Sequence, residues 1–164
     1  MIKTAFITGA ASGIGKSTVE ALYANGWTLG IADINLDALK EYSANWDPNR
    51  VHCYQLDVRD ANQVTDCIKS FAENNKQRLN LLFNCAGILQ IDRFEDISTA
   101  RHQQIFDINV MGVVHGCQAA FPYLRNTPKS QVINMSSASA TYGVPHLASY
   151  SASKFAVRGL TEAL

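Results

Sequence analysis

The chain has 164 residues, of which 47% are hydrophobic and 17% charged, and its fourteen basic residues balance its fourteen acidic ones. This composition is too apolar for a disordered chain, and the balanced charge offers no basic surface for nucleic acid or an acidic membrane. No apolar run reaches the ~18 residues of a membrane span, and no signal-peptide core opens the chain. We therefore expect a cytoplasmic protein that forms one domain over residues 1–164.

The cysteines and histidines indicate neither disulfides nor a metal site. No two cysteines have CxxC spacing, and the histidines do not have the spacing of metal ligands. We expect reduced thiols and no bound metal. The residues concerned are Cys53, Cys67, Cys85, Cys117, His52, His102, His115 and His146.

Strand-like and helix-like segments alternate along the whole chain. The short apolar runs predict strands over residues 3–8, 28–32, 51–56, 79–83 and 131–135. The periodic segments between and after them predict helices over residues 14–25, 36–42, 60–74, 98–123 and 150–164, the second and fourth capped by Asn35 and Ser98. Buried-type strands joined by helices predict a doubly wound α/β fold with a parallel sheet. Loops after the strand ends line the ligand crevice of such a sheet.

A glycine-rich turn follows the first strand. Gly9, Gly13 and Gly15 have the spacing GxxxGxG in the segment TGAASGIG. Gly9 permits a tight turn, Gly13 lets a pyrophosphate approach the backbone, and Gly15 lets the next helix pack close to the sheet. The amide groups at that helix N-terminus attract phosphate. Between a strand and a helix, this turn with Ser12 and Ile14 indicates dinucleotide binding.

Asp33 closes the second strand, where a carboxylate can accept both hydroxyls of an adenosine ribose. A 2′-phosphate there would meet like-charge repulsion, so the residue favours NAD over NADP. The alternative is an ordinary turn or helix-cap aspartate. Asp57, after the third strand, could bind the adenine amino group beside backbone atoms of Val58, although an ordinary strand-end aspartate explains it almost as well.

Tyr150 and Lys154 are four residues apart at the start of the last helix, which places them on one face. A phenol is a poor base near neutrality, but a lysine ammonium one turn away stabilises the phenolate. Ser137 lies thirteen residues before Tyr150 and could hold a substrate oxygen. Alone, the YxxxK pattern is weak, and serines in a loop are ordinarily solvated.

Together these motifs resemble the short-chain dehydrogenase/reductase family over essentially all 164 residues. The resemblance rests on TGAASGIG at 8–15, NCAG at 84–87, Asn109, Ser137 and YSASK at 150–154, in the order and spacing of that family. It implies a Rossmann-like sheet of strand order 3-2-1-4-5. It also implies an NAD-dependent oxidoreductase that moves hydride between the cofactor and an alcohol or carbonyl substrate.

The resemblance also implies roles for individual residues. Tyr150 would be the acid/base, Lys154 a ribose ligand that assists it, and Ser137 the group that orients the substrate oxygen. Asn109 would interrupt its helix and hold a water linking Lys154 to solvent, whereas the residues alone leave it an ordinary helix residue. The segment with Asn84, Ala86 and Gly87 would stabilise the sheet and pass the adenosine ribose. Cys85 stands where the family more often has asparagine.

Family members are longer, by resemblance, so we expect this chain to lack the last two strands and the segment that closes over the nicotinamide. The full-length form would be a homo-oligomer through the helices around Asn109 and Lys154. Two other readings remain: a non-catalytic NAD-binding fragment, and a methyltransferase on a similar sheet. The joint presence of Ser137, Tyr150 and Lys154 disfavours the methyltransferase.

Overall fold

A computed structural model describes residues 3–164 of the chain. The strands of this range are β1 (Thr4–Thr8), β2 (Thr28–Asp33), β3 (Val51–Gln55), β4 (Leu81–Asn84) and β5 (Gln131–Asn134). Its α-helices are α1 (Gly13–Ala24), α2 (Leu36–Ser43), α3 (Ala61–Asn74), α4 (Thr99–Phe106), α5 (Gly112–Arg125) and α6 (Ala148–Ala163). Short 3-10 turns at Phe94–Asp96 and Ala138–Ala140 and a π-helical stretch at Asp107–Met111 complete the regular structure of this range.

The strands form a parallel sheet in the order β3-β2-β1-β4-β5, which confirms the predicted fold and strand order. Thr8, at the carboxyl end of β1, is level with Ala32 of β2 and Asn84 of β4, and Asn84 is level with Asn134 of β5. Because the strands are parallel, the loops that follow them all leave from this edge of the sheet. The predicted site residues are therefore collected at one edge.

Both faces of the sheet are covered, as the burial of β1 shows. All five of its residues are buried. Ala5 and Ile7 pack in the core cluster that includes Val19 of α1, and Phe6 packs in the cluster with Phe71 of α3, at 5.8 Å between ring centroids. Burying one such aromatic side chain contributes about 1.5–3 kcal/mol. The two clusters hold β1 rigidly beneath the turn that follows it.

The helix starts agree with the caps read from the sequence. The Asn35 side chain accepts a hydrogen bond from the Ala38 amide, and the Ser98 hydroxyl accepts one from the Arg101 amide. Each bond satisfies an amide group that the first helical turn leaves without an intrahelical partner. The predicted caps of α2 and α4 are confirmed.

Three predicted elements need correction. The fourth strand runs over Leu81–Asn84 rather than 79–83. The Leu79 amide donates to the Thr127 hydroxyl at 3.1 Å and so takes no part in the sheet. The helix predicted over 98–123 is not α-helical throughout, since α4 and α5 are joined by the π-helical stretch Asp107–Met111; this agrees with the interruption at Asn109 that the resemblance implied. The last helix begins at Ala148, two residues earlier than predicted.

No helix within residues 3–164 is both long and apolar enough to cross a membrane.

Candidate functional site

A cleft of about 440 Å³ opens at the carboxyl edge of the sheet. Most of the predicted site residues line it, namely Gly9, Ser12, Gly13, Ile14, Gly15, Asp33, Asp57, Val58, Ala86, Gly87, Tyr150 and Lys154. Three predicted residues lie outside its lining, namely Asn84, Asn109 and Ser137. The cleft also has lining residues that were not among the predicted site residues, namely Ile34, Leu56, Cys85, Ile88, Leu89, Ile108 and Met135.

The glycine-rich turn is built on contacts that side chains would block. Gly9 has a φ of +66°, and a Cβ there would lie 2.7 Å from the backbone of Ala86. A Cβ on Gly15 would overlap the Gly9 carbonyl oxygen. Gly13 has a φ of +52°, and a Cβ there would meet nothing within 4 Å. Gly9 and Gly15 thus close the turn, while Gly13 leaves open space above the start of α1.

The N-terminus of α1 lies at this turn without local compensation for its dipole. The Ser12 hydroxyl makes no capping hydrogen bond, and the first turn of α1 contains no acidic residue. The amide groups and positive dipole end of a helix favour an anionic ligand at such a position.

The Asp33 carboxylate is oriented by two backbone amides. Its Oδ2 accepts from the Ala11 amide and its Oδ1 from the Asn35 amide, each at 3.0 Å. The first bond connects the end of β2 directly to the glycine-rich turn. Carboxylate oxygens have further lone pairs, so Asp33 can still accept hydrogen bonds from a ligand in the cleft.

Asp57 lines the cleft but is paired with a neighbour. The Arg59 guanidinium binds both of its carboxylate oxygens, and the Arg59 amide donates to Oδ1 at 3.0 Å. These hydrogen bonds hold the pKa of the Asp57 carboxyl below its usual range. An adenine amino group would share this carboxylate with Arg59, and the carbonyl of Val58, which also lines the cleft, is hydrogen-bonded to the His115 ring at 2.9 Å.

The segment after β4 is attached to β1 by Thr8. The Thr8 hydroxyl accepts from the amides of Cys85 and Ala86, each at 3.2 Å. This pair of bonds sets the close approach of Ala86 to Gly9. Burial raises the pKa of the Cys85 thiol, the nearby Lys154 opposing this effect.

Asn84 lies beneath the cleft and connects two strands of the sheet. It is buried, and its Nδ2 donates to Oδ1 of Asn134 on β5 at 2.8 Å. Its Oδ1 has no hydrogen-bond partner among the described residues. A Cβ on Gly116 of α5 would overlap that oxygen, so the glycine provides the room that the amide occupies.

Tyr150 and Lys154 lie in the first turns of α6. The Lys154 side chain is only 4% exposed, and its Nζ donates to the Met135 carbonyl at 2.7 Å. Its Nζ lies 5.6 Å from the centroid of the half-buried Tyr150 ring. Burial lowers the pKa of the Lys154 ammonium. A cation is therefore held next to the phenol-bearing side chain in a poorly solvated part of the cleft.

Asn109 lies behind the cleft wall, in the π-helical stretch between α4 and α5. Its Oδ1 accepts from the Ile88 amide at 2.8 Å, and its Nδ2 donates to the Ile88 carbonyl at 2.9 Å and to the Ser153 hydroxyl at 3.1 Å. A Cβ on Gly87 would lie 3.2 Å from Asn109 Oδ1 and 3.5 Å from Lys154 Nζ. Asn109 thus connects the loop after β4 to α6 close to Lys154.

Ser137 lies three residues beyond β5. Its half-buried hydroxyl accepts from the Ser139 amide at 3.1 Å and caps the short turn Ala138–Ala140. The adjacent Ser136 hydroxyl donates to the Lys154 carbonyl at 3.0 Å, which attaches the loop to α6.

Sequence reasoning missed Ser153, whose hydroxyl donates to the Tyr150 carbonyl at 2.7 Å and accepts from Asn109. It stands inside the YSASK motif, so its position was a usable signal. His102 was also missed: its ring is hydrogen-bonded to the Ser149 hydroxyl beside Tyr150, a contact across 47 positions with no local signal. Residues 3–164 contain no cluster of three or more histidines, cysteines or carboxylates suited to a metal ion.

Comparison with known proteins agrees with this geometry. The family model for short chain dehydrogenases matches residues 3–164. An uncharacterised oxidoreductase of Staphylococcus saprophyticus is 33% identical over 162 residues, which cover 99% of this chain and 65% of the relative. The chain therefore spans about two thirds of that relative's length.

Solved structures give the same result. A short-chain dehydrogenase/reductase from Burkholderia phymatum in complex with NAD is 31% identical with a TM-score of 0.91, over 99% of this chain and 58% of that one. ElxO with NADP bound is 27% identical with a TM-score of 0.89, over 98% of this chain and 65% of that one. The sequence, the sheet topology and these matches lead to one conclusion: the chain belongs to the short-chain dehydrogenase family.

Proposed function

We propose that the protein is an oxidoreductase that transfers hydride between NAD(H) and an alcohol or carbonyl substrate. One observation carries the proposal: a single cleft is lined by the glycine-rich turn and Asp33 on one side and by Tyr150 and Lys154 on the other. The first pair of features suits a dinucleotide, and the second suits proton transfer beside it.

The residues of the cleft fit a dinucleotide. Gly13 leaves free space over the uncapped start of α1, where a pyrophosphate can approach the amides. Asp33 lines the cleft with a carboxylate already oriented by two backbone amides. Solved relatives hold NAD in one case and NADP in another, and the negative charge of Asp33 supports NAD for this chain, because it would repel a 2′-phosphate.

When bound, the nicotinamide ring would supply or accept the hydride. Tyr150 would exchange a proton with the substrate oxygen, and the buried Lys154 ammonium would stabilise the phenolate that forms. Lys154 would also bind the adjacent ribose, exchanging its bond to the Met135 carbonyl for ribose hydroxyls. Ser137, in the loop after β5, would orient the substrate oxygen. Asn109 would hold the Ile88 backbone and α6 in register.

The test is a calorimetric titration of the protein with NADH and, separately, with NADPH. We expect saturable binding with NADH preferred. Asp33→Asn keeps the size of the side chain and removes its charge, so it should weaken NADH by roughly ten-fold and narrow its advantage over NADPH. Asp37→Asn is the matched control, since Asp37 is exposed in the first turn of α2 and does not line the cleft.

The outcomes separate the alternatives. No binding of either dinucleotide by folded protein would overturn the proposal. NADH binding without turnover of any alcohol or carbonyl would leave a non-catalytic NAD-binding chain. An unchanged preference for NADH over NADPH in Asp33→Asn would show that Asp33 does not bind the adenosine ribose.

A further inference from the structure

Tyr42 reaches the glycine-rich turn from α2. Its hydroxyl donates to the Ala10 carbonyl at 3.0 Å, across 32 positions of sequence. The next amide, that of Ala11, donates to Asp33 Oδ2 at 3.0 Å. The Ala10 carbonyl and the Ala11 amide belong to one peptide group. That peptide therefore has its oxygen fixed by Tyr42 and its hydrogen fixed by Asp33.

This double attachment fixes the orientation of the peptide. A rotation of the peptide plane by half a turn would point the Ala10 carbonyl at the Asp33 carboxylate and leave the Tyr42 hydroxyl without its acceptor. The flipped peptide is unfavourable because the carbonyl oxygen and the carboxylate, both negative, would face each other and two hydrogen bonds would be lost. The Ala10 amide is also fixed, because it donates to the Ala32 carbonyl of β2 at 3.1 Å.

Tyr42 is itself held in place by neighbours on two sides. The Lys16 ammonium lies 4.9 Å from the centroid of its ring, and the Trp46 ring meets it edge-on at 5.5 Å. Burial, together with the nearby acidic groups, raises the pKa of the Tyr42 phenol. The hydroxyl therefore keeps its proton and remains a donor over the whole neutral range.

We propose that Tyr42 is a positioning residue of the dinucleotide site, which holds the Ala10–Ala11 peptide so that the turn accepts a pyrophosphate and Asp33 faces the adenosine ribose. This inference rests on the proposed function. Tyr42 does not line the cleft and touches no ligand there; it acts through the peptide. Its hydroxyl thus affects both the strength of dinucleotide binding and the choice between NADH and NADPH, because Asp33 depends on the same peptide.

The test compares Tyr42→Phe with Tyr23→Phe. Tyr23 is a matched control: its ring stacks on the same Trp46, at 4.2 Å between centroids, and its hydroxyl accepts from the Asp47 amide. Each variant loses one hydroxyl from the same aromatic cluster. Amide hydrogen exchange of Ala11 in the ligand-free protein reports on the peptide, and calorimetry reports Kd for NADH and NADPH.

For Tyr42→Phe we expect Ala11 exchange at least ten-fold faster, a Kd for NADH about five-fold higher and a smaller ratio between the two dinucleotides. Tyr23→Phe should leave all three values at the wild-type level. A general destabilisation of the fold would instead weaken the binding of NADH and the binding of NADPH equally, and it would do so in both variants.

An unchanged rate of Ala11 amide exchange in Tyr42→Phe would overturn the inference. Equal increases in the Kd for NADH and the Kd for NADPH would also overturn it. Failure of the wild-type protein to bind either dinucleotide would overturn the proposed function, whereas the exchange of Ala11 decides on the peptide contact of Tyr42 by itself.

Discussion

The two sides of the cleft are held together in different ways. On the cofactor side, formed by β1, β2 and the start of α1, two glycines of the turn Gly9–Gly15 permit close backbone contacts, and the side chains of Asp33 and Tyr42 hold the peptide between them. On the catalytic side, formed by the loops after β4 and β5 and by α6, it comes from side chains that bond backbone far away in sequence. Asn109 binds Ile88 across 21 positions and Lys154 binds the Met135 carbonyl across 19.

Burial differs in the same direction. Every residue of β1 is buried, whereas the edge strand β5 has an exposed Ile133, with 46% of its surface accessible. Yet the one charged side chain that is buried within residues 3–164 belongs to the catalytic side, and it is Lys154. The cofactor side thus combines close contacts at glycines with two side chains that hold its turn, and the catalytic side depends on polar side chains, one of them a buried cation.

Tyr150→Phe should give the largest effect, a loss of turnover that comes from the catalytic side alone. Loss of the phenol hydroxyl removes the proposed proton donor, so turnover of any alcohol or carbonyl substrate should fall by roughly 100-fold or more, with Kd for NADH within two-fold of wild type. Steady-state rates and calorimetry measure the two effects. Tyr142→Phe, an exposed tyrosine in the loop after β5, is the control and should retain activity. Undiminished turnover in Tyr150→Phe would exclude the assigned role.

Gly15→Ala should give the second largest effect, a loss of stability that comes from the cofactor side. Its Cβ would overlap the Gly9 carbonyl oxygen, so we expect the free energy of unfolding to fall by about 1–3 kcal/mol. Gly159→Ala is the matched control in α6, where a Cβ would meet nothing within 4 Å. That variant should be more stable than wild type by up to about 1 kcal/mol. Chemical denaturation of both variants measures their free energies of unfolding. Equal changes in the two variants would contradict the packing argument.

The smallest effect should be a dependence of stability on pH that arises from Lys154. Burial lowers the pKa of its ammonium from the ordinary 10.5. Between the lowered folded value and 10.5, the unfolded chain binds the proton more strongly than the folded one, so stability rises with pH in that window. Below both values the cost of burying the charge is constant.

The measurement is the difference in unfolding free energy between wild type and Lys154→Met across the alkaline range. This difference should increase in favour of wild type as the pH approaches 10.5. Taking the difference cancels the titrating groups that lie away from Lys154, but not Cys85, whose pKa burial raises and Lys154 lowers. Lys40→Met, at an exposed position of α2, should follow wild type at every pH. A difference that stays flat or falls would show that Lys154 is not buried as a cation.

What could be predicted from the sequence follows the same division. The parallel sheet and the caps at Asn35 and Ser98 depend on local patterns and were predicted from them, and the strand order was predicted from the family resemblance. The break between α4 and α5 did not follow from helical periodicity, because it accompanies bonds between Asn109 and a distant loop. The start of β4 was also missed; there the Leu79 amide bonds to Thr127 and takes no part in the sheet.

The candidate site shows the same pattern. Its glycines form one short motif and Asp33 ends the next strand, and all of them line the cleft. Ser137 lies outside that lining, and its hydroxyl is engaged by the Ser139 amide. The contact of Tyr42 with Ala10 has no sequence pattern at all, because it depends on how α2 packs over the turn.

The fit between Asn84 and Gly116 has a consequence for how this sequence can change over time. The Asn84 amide fills the space that a Cβ at position 116 would need. An alanine at 116 is therefore tolerated only after position 84 becomes smaller, and a smaller residue at 84 leaves Asn134 Oδ1 with the Cys117 thiol but without the Asn84 amide. Positions 84, 116 and 134 thus form one evolutionary unit, whose members should vary together or not at all.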